Sequence, residues 1–250
     1  MEQILQYLDL STYQWMLLFL CGLFVGMGKT GIGGLGMLVV PLLAAAFGGK
    51  YSAGLLLPML AFADIFGVRY YNRHAEWGHV WRLLPWAIAG IFLGLWVGEN
   101  IDDEQFKELM AVIILVSLVI MIWRERKKGK IPDYWWFSAI VGLAGGFATM
   151  IGNAAGPIMA VYLLSMHLPK NSYIGTGAWF FLIINYFKIP LHIFVWHTIT
   201  WESITLDVAT FPFIFLGAWL GFRLVKLIPE KPYRIFVIVT TAIASIRLFF

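Results

Sequence analysis

Two glycine-rich segments contain the side chains best suited to hold a small charged molecule. Residues 26–36 include six glycines, and residues 142–156 form a second stretch rich in glycine and alanine. A lysine there supplies positive charge, and hydroxyl, amide and backbone N–H groups donate hydrogen bonds to the oxygens of an anion. The predicted substrate-binding residues of the two segments are Lys29, Thr30, Gly33, Gly34, Thr149, Asn153 and Ala154.

Each glycine-rich segment is expected to interrupt a helix. Unwound backbone at membrane depth is tolerated where it is buried in protein or lines a cavity. A helix that restarts at Ile32 or at Ala154 has unpaired N–H groups and the positive end of its dipole, and such a terminus binds anions. Two alternatives stay open: Lys29 as a topology charge at a cytoplasmic helix end, and Asn153 as a helix N-cap without substrate contact.

Three more polar residues lie inside apolar stretches. Asp64 and Asn185 occupy roughly matching places in the third and eighth apolar runs, and Lys188 follows Asn185 by three residues. Ionisable residues within a membrane are costly and indicate function. We therefore predict that Asn185 and Lys188 bind the anion and that Asp64 carries a coupling proton. The alternatives are packing pairs, of Lys188 with Asp64 or Asp207 and of Asp64 with Arg69.

The composition of the chain is that of a membrane protein. Of the 250 residues, 60% are apolar or aromatic and 13% are charged, whereas a soluble domain has about 25% charged residues. No long polar stretch interrupts the sequence, so a single membrane domain over residues 1–250 is predicted. The formal charge of +4 comes mostly from basic residues in short connections, which indicates membrane topology and not nucleic-acid binding.

No catalytic residue, metal site or cofactor is predicted. The histidines form no helical i, i+4 pair with a carboxylate, so a metal site is not expected. The glycines at 26, 28 and 31 match the spacing of a dinucleotide fingerprint, but no βαβ unit surrounds them. The sequence therefore does not predict an enzyme.

Apolar runs predict about ten transmembrane helices. A straight span needs roughly 20 residues. Basic residues concentrate in the odd-numbered connections and the fourth connection is acidic, which places both termini outside a bacterial inner membrane. The runs are Leu10–Met27, Ile32–Phe47, Tyr51–Tyr70, Trp81–Val97, Phe106–Trp123, Tyr134–Met150, Ala154–His167, Ser172–His197, Ser203–Phe222 and Pro232–Phe250.

The chain divides into two related halves. The octapeptide that begins at Ile91 reappears at Ile214 with six of eight positions identical, in the fourth run of each half. We predict repeat one over about 10–123, a cytoplasmic linker over about 124–133 and repeat two over about 134–250. Five spans per half is an odd number, so the second half is inverted. The fold class is thus an all-α polytopic membrane protein of two inverted five-helix repeats with broken helices at the glycine-rich motifs, an arrangement found in many secondary transporters.

Specific motifs extend this interpretation. They are Gly31-Ile-Gly-Gly-Leu-Gly-Met-Leu-Val-Val-Pro41, its weaker repeat Ile151-Gly-Asn-Ala-Ala-Gly-Pro157, and the Gly-x-Trp-x-Gly elements that close the two octapeptides. In these motifs, and over essentially its whole length, the chain resembles the sulfite exporter TauE/SafE family of integral membrane proteins. The resemblance implies movement of sulfite, sulfonates or related organosulfur anions.

The predicted function is secondary transport of a small sulfur-containing oxyanion, coupled to a proton or ion gradient. The alternatives are an anion channel and a membrane assembly factor without transport. The expected partners are the anion, the coupling ion and membrane lipid, with a homodimer as the candidate protein assembly and no nucleic acid.

Overall fold

The described part of the chain folds into α-helices. The computed structural model of the protein describes residues 10–30, 35–126 and 134–224, together with residues 235, 239, 242, 243 and 246. The α-helices of the three longer ranges are α1 (Thr12–Thr30), α2 (Leu35–Phe47), α3 (Gly49–Tyr71), α4 (Trp77–Glu99), α5 (Asp103–Arg126), α6 (Trp135–Gly152), α7 (Gly156–Ser165), α8 (Lys170–Phe194) and α9 (Trp201–Leu224), and a 3₁₀-helix covers Asn72–His74.

Five of these helices are long and apolar enough to cross a membrane, namely α3, α4, α6, α8 and α9. Helices α2 and α7 are shorter apolar helices of 13 and 10 residues. The chain is therefore a polytopic membrane protein, all-helical in the part that the structure describes. The predicted tenth run, Pro232–Phe250, lies almost wholly outside the described residues, as do residues 127–133 of the predicted linker.

Helices α1 and α9 pack along faces lined by glycine. A Cβ atom at Gly26 would overlap the backbone carbonyl of Ile214, and one at Gly217 would overlap the backbone carbonyl of Leu23. Gly22 lies against Thr210 and Gly26 against Ile214, so residue numbers rise together along the two helices and α1 and α9 run parallel. Small residues allow two backbones to approach and to gain van der Waals contact where lipid supplies no hydrophobic drive.

Helices α4 and α6 form a second pair of the same kind. A Cβ at Gly90 would overlap the carbonyl of Leu143, and one at Gly146 would overlap the carbonyl of Ala87. Gly94 lies against the carbonyl of Phe147, one turn after the contact of Gly90 with Leu143, so these helices also run parallel. In both pairs, the close approach depends on glycines contributed by each partner helix.

Helix α3 lies at the centre and packs against α1, α2, α8 and α9. Phe62 of α3 stacks on Phe211 of α9 with ring centroids 4.0 Å apart, and Phe66 meets Phe215 edge to face. Helices α3 and α9 are therefore parallel as well. This central position buries the polar residues of α3 among protein and keeps them away from lipid.

Helix α6 ends in a turn that has left-handed backbone. Asn153 has a φ of 52°, a conformation that asparagine tolerates better than most residues. The N–H of Asn153 donates to the carbonyl of Thr149 at 3.1 Å, and the N–H of Ala154 donates to that of Ala148 at 3.3 Å. These bonds satisfy two carbonyls near the end of α6, and the bond from Asn153 to Thr149 is that of an αL C-cap motif. The chain then starts α7 at Gly156.

Two adjacent carboxylates stabilise the starts of two different helices. Asp102 Oδ1 accepts the N–H of Gln105 at 2.8 Å at the start of α5, whereas Asp103 accepts the N–H groups of Gly49 and Lys50 at 3.1 and 2.9 Å at the start of α3. Partial burial opposes ionisation of Asp103, but these N–H groups and the ammonium of Lys107 outweigh it and hold the pKa of Asp103 below its ordinary value. These hydrogen bonds hold the connection between α4 and α5 against the connection between α2 and α3.

Candidate functional site

A buried carboxylate on α3 joins α1 to α8. Asp64 is 1% exposed. The Nζ of Lys29, in the last turn of α1, lies 2.6 Å from Asp64 Oδ1, and the Nδ2 of Asn185 donates to Asp64 Oδ2 at 2.7 Å. Oδ1 has no well-aligned hydrogen bond, so its contact with Lys29 is chiefly electrostatic. One cation and one amide therefore hold the two oxygens of the carboxylate.

Lys188 lies on α8, one turn after Asn185, and is wholly buried. Its ammonium donates to the carbonyl and the hydroxyl of Thr149, both at 2.9 Å, and to Asn153 Oδ1 at 2.6 Å. An ammonium has three donors, so the hydrogen bonding of Lys188 is complete. All three acceptors are uncharged, however, and within the described residues no carboxylate forms a direct ion pair with Lys188.

The two groups of contacts meet on one face of α8 and form one polar cluster with an excess of positive charge. Lys29 and Lys188 contribute two positive charges and Asp64 contributes one negative charge, so the ionised cluster carries a net charge of +1. An uncompensated charge in a low-dielectric interior costs several kcal/mol. A bound monoanion would neutralise it. The members of the polar cluster are Lys29, Asp64, Thr149, Asn153, Asn185 and Lys188.

Asn153 connects three parts of the fold. Its Oδ1 accepts from Lys188 on α8, and its Nδ2 donates to the carbonyl of Ala53 on α3 at 3.0 Å. The residue itself ends α6, whereas Ala155 occupies the N-cap position of α7. The alternative that Asn153 is a helix N-cap is therefore wrong. Its side chain instead fixes the break after α6 against α3 and α8.

Open space adjoins the starts of the two short helices. A Cβ at Gly156 would meet no described atom within 4 Å, and the same holds for Gly36 near the start of α2. Gly156 is exposed, although Ala154 and Ala155 before it are buried. The break that carries Asn153 thus has a buried side, which bonds Lys188, and an open side at the first turn of α7.

Thr30 belongs to a helix contact and not to the polar cluster. Its hydroxyl lies 3.0 Å from the carbonyl of Gly26 in its own helix and 3.0 Å from the carbonyl of Ala218 in α9. A Cβ at Gly221 would also overlap this hydroxyl. The sequence placed Thr30 beside the anion because it follows Lys29, but successive residues of a helix point in different directions.

Of the remaining predicted ligands, the expectation for Ala154 is wrong, and Gly33 and Gly34 are not described by the structure. Ala154 was expected to begin a helix with a free N–H, but that N–H closes α6, and α7 begins two residues later at Gly156. Gly33 and Gly34, and the expected helix start at Ile32, lie outside the described residues.

The packing pairs considered for Asp64 and Lys188 are not formed. Asp64 bonds Lys29 and Asn185, and no contact between Asp64 and Arg69 is present in the described part of the chain. Lys188 bonds Thr149 and Asn153, not Asp64 or Asp207. Both residues instead belong to the polar cluster.

Phe181 on α8 belongs to the site, although the sequence analysis did not predict it. The Nζ of Lys29 lies 4.7 Å from the centroid of the Phe181 ring, a distance at which a cation is attracted to an aromatic face. Phe181, Asn185, Lys188 and His192 recur on α8 at intervals of four, three and four residues. This is the spacing of one helical face, so the sequence could have indicated that Phe181 and His192 lie on the same side of α8 as Asn185 and Lys188.

The chemistry of the cluster suits an anion better than a metal ion. Within the described residues, no group of three histidine, cysteine or acidic side chains is close enough to hold a metal ion. The cluster instead presents ammonium, amide and hydroxyl groups, which donate hydrogen bonds to oxyanions.

Comparison with known proteins identifies the family. A family model described as sulfite exporter TauE/SafE matches residues 18–248, which include both glycine-rich segments and every member of the polar cluster. The chain belongs to the sulfite exporter TauE/SafE family. Members of the TauE/SafE family are transporters rather than enzymes, and the family implies a membrane transporter of anions such as sulfite. No curated protein gives a significant match to the chain.

Family membership and geometry agree on the kind of molecule that this TauE/SafE protein handles. The family implies an anion, and the polar cluster is a buried site with an excess of positive charge between α1, α3, α6 and α8. The polar cluster lies beside the break between α6 and α7.

Proposed function

We propose that this TauE/SafE protein is a secondary transporter that moves a small sulfur-containing oxyanion, such as sulfite or a sulfonate, across the bacterial inner membrane. One observation carries the proposal. The polar cluster sets two ammonium groups, a wholly buried one of Lys188 and a partly exposed one of Lys29, against a single buried carboxylate, and Lys188 has only uncharged acceptors. A charged oxyanion that displaces one of these acceptors forms an ion pair with the Lys188 ammonium, an attraction between two full charges that an uncharged acceptor does not supply.

The anion binds where Lys188, Asn153 and the start of α7 come together. Lys188 supplies charge, and Thr149 and Asn185 supply hydroxyl and amide groups that orient the oxygens. The first turn of α7 adds unpaired N–H groups and the positive end of a helix dipole.

Asp64 couples anion binding to a proton. In the structure its carboxylate is the counter-ion of Lys29, so it competes with any anion for that ammonium. A proton on Asp64 removes this competition and raises the net charge of the cluster from +1 to +2. Proton and anion therefore favour each other's binding, and such reciprocal coupling of two ligands is a thermodynamic necessity.

The arrangement of the helices supports two inverted five-helix repeats, and the basic residues of the odd-numbered connections favour both termini outside. The first helix of each half packs in parallel on the fourth helix of the other half, as α1 does on α9 and α6 on α4. The third helices, α3 and α8, meet at the centre through Asp64 and Asn185. Exchanging the halves therefore preserves these contacts, as expected of an inverted repeat. On this topology, Lys29 lies near the cytoplasmic side.

Flux into proteoliposomes tests the proposal. The purified full chain is reconstituted, and uptake of labelled sulfite, sulfoacetate and taurine is measured with and without a pH gradient. We expect saturable uptake of at least one of these compounds, accelerated by the gradient. Lys188→Met should reduce this uptake strongly, and Lys50→Met, which removes a lysine outside the polar cluster, should not.

Three results would contradict the proposal. Conductance without saturation or coupling indicates an anion channel. The absence of flux for all three compounds, with correctly folded protein, indicates a membrane assembly factor. Equal uptake by the Lys188→Met and wild-type proteins removes the polar cluster from the substrate path.

A further inference from the structure

Asp207 on α9 is a second buried carboxyl, and the mechanism above does not use it. Its side chain is 1% exposed. Neither of its side-chain oxygens has a hydrogen-bond partner among the described residues. The hydroxyl of Thr210 lies nearby but donates to the backbone carbonyl of Asp207 at 2.7 Å. Asp207 therefore differs from Asp64, whose two oxygens are held by Lys29 and Asn185.

Asp207 and Asp64 lie at different depths in two parallel helices. The stacked rings of Phe62 and Phe211 set the register between α3 and α9. Asp64 follows Phe62 by two residues, and Asp207 precedes Phe211 by four. Six residues of helix rise, about 9 Å along the axis, therefore separate the two carboxyls. Asp207 lies toward the start of α9, which is the external end in the proposed topology.

Few titratable groups face Asp207 from the helices packed against α9. On α3, Tyr51 interacts electrostatically with Asp207 and with Glu202 near the start of α9. On the buried face of α1 the titratable group is the thiol of Cys21. Across α3, His192 of α8 is wholly buried. Within the described residues, no lysine or arginine forms an ion pair with Asp207.

We propose that Asp207 is a proton-binding site on the external half of the transport path, separate from the polar cluster that holds the anion. An isolated carboxylate in a low-dielectric interior is expensive, and it becomes neutral by taking up a proton. The proton adds to one carboxylate oxygen from the external side and later leaves from the carboxyl toward Asp64. The direction of this transfer rests on the proposed function, whereas proton binding at Asp207 does not.

Two measurements on the full chain test this site. Infrared difference spectra between acidic and neutral pH detect the C=O stretch of a protonated carboxyl in purified protein. In proteoliposomes, net accumulation driven by a pH gradient is compared with the exchange of labelled for unlabelled anion. The variants are Asp207→Asn, which keeps the shape of the side chain, and Asp207→Glu, which keeps its proton. Ser117→Ala is the matched control, since Ser117 is buried and unpartnered on α5.

The expected result is a separation of coupling from exchange. A gradient of one pH unit supports about tenfold accumulation for one coupled proton. Asp207→Asn should reduce the accumulation ratio to about one while exchange continues, and it should remove one carboxyl band from the infrared difference spectrum. Asp207→Glu and Ser117→Ala should keep both signals.

Several results would overturn the proposal. One is wild-type accumulation by Asp207→Asn, and another is the loss of exchange together with accumulation. A third is an infrared difference spectrum of Asp207→Asn that equals that of the wild-type protein. A fourth is accumulation by the wild-type protein that is driven by a sodium gradient in place of the pH gradient. If the wild-type protein transports none of the sulfur oxyanions, the proposed function fails, and the infrared measurement still decides whether Asp207 binds a proton.

Discussion

Replacing Asn153 by aspartate tests the charge argument with almost no change in shape. The new carboxylate would lie where Asn153 Oδ1 lies now, 2.6 Å from the Nζ of Lys188. Aspartate also tolerates the left-handed backbone at this position. The substitution therefore lowers the net charge of the polar cluster from +1 to zero while leaving Lys188 in place.

The size of the effect follows from the distances. At an effective dielectric constant of about 20, two unit charges 2.6 Å apart attract by about 6 kcal/mol, and a substrate anion at about 4 Å from the ammonium gains about 4 kcal/mol. A permanent carboxylate thus outcompetes the anion for Lys188. Allowing for the remaining donors, we expect anion affinity to fall by about a hundredfold, or about 2.7 kcal/mol.

The stability of the Asn153→Asp protein should stay the same or rise, although its anion affinity falls. A new ion pair with Lys188 stabilises the fold by more than the loss of the hydrogen bond from Asn153 Nδ2 to Ala53 destabilises it, since a buried acceptor left without its donor costs about 1–3 kcal/mol. The melting temperature of Asn153→Asp should therefore equal or exceed that of the wild-type protein. A variant that binds poorly because it misfolds would instead melt at a lower temperature.

Equilibrium binding of labelled sulfite and thermal melting in detergent are the two assays. At a hundred times its Kd, a ligand stabilises the native state by about 2.7 kcal/mol, so sulfite should raise the melting temperature of the wild-type protein but not that of Asn153→Asp. Asn100→Asp, at the exposed end of α4, controls for the added negative charge. Wild-type affinity in Asn153→Asp, or an equal loss in Asn100→Asp, would refute the charge argument.

Three further predictions concern other parts of the molecule. Asp64→Asn should raise anion affinity at neutral pH at least about fivefold, because it removes a buried carboxylate that competes for Lys29, and even an exposed ion pair is worth up to about 1 kcal/mol. It should also abolish the pH dependence of binding. Lys29→Gln should weaken binding, and unchanged affinity would assign Lys29 to topology alone. Asp103→Ala should cost about 1 kcal/mol as a lost helix cap. Because folding lowers the pKa of Asp103, its contribution is complete above pH of about 4 and is lost as the pH falls below that value, so melting curves of the two proteins should converge in acid. Gly146→Leu should destabilise the α4–α6 contact by about 1–3 kcal/mol or prevent folding, whereas Gly78→Ala, on the same helix pair and with no atom within 4 Å of the added Cβ, should have little effect on melting.

The helices and their close contacts could be predicted because both depend on local composition. Apolar runs of sufficient length define membrane helices without reference to the rest of the fold. The glycines of the repeated octapeptides, such as Gly94 and Gly217, also lie at close helix contacts in the structure. Glycine at intervals of four residues has one main use on a membrane helix, which is to let another backbone approach.

The partners of the charged residues could not be predicted, since they come from distant parts of the chain. Arg69 was the nearest cation to Asp64 in sequence, but a residue five positions away on a helix points to another side. The actual partner, Lys29, comes from a different helix. The acceptors of Lys188 are likewise more than 30 residues away. Only the positions of these residues within apolar runs indicated that they matter.

The two proposed repeats share their packing residues but differ in charge at the site. Gly26 of α1 corresponds to Gly146 of α6, and each lies against a backbone carbonyl of the helix it pairs with. Three residues further on, Lys29 corresponds to the uncharged Thr149. On the third helix of each half, Asp64 corresponds to the uncharged Asn185.

In the proposed mechanism, this difference in charge gives the site two functions, anion binding and proton coupling. A site with the charges of the first half in both repeats would balance each lysine with a carboxylate, and it would have no excess charge for an anion. A site with only the neutral residues of the second half would have no carboxyl to take up a proton at the anion. Because Lys188 on α8 adds a cation to the neutral half, and Asp64 stays as the sole carboxylate of the polar cluster, the same cluster attracts an anion and responds to a proton. The duplicated helices thus account for the shape of the site, and the unmatched charges account for its chemistry.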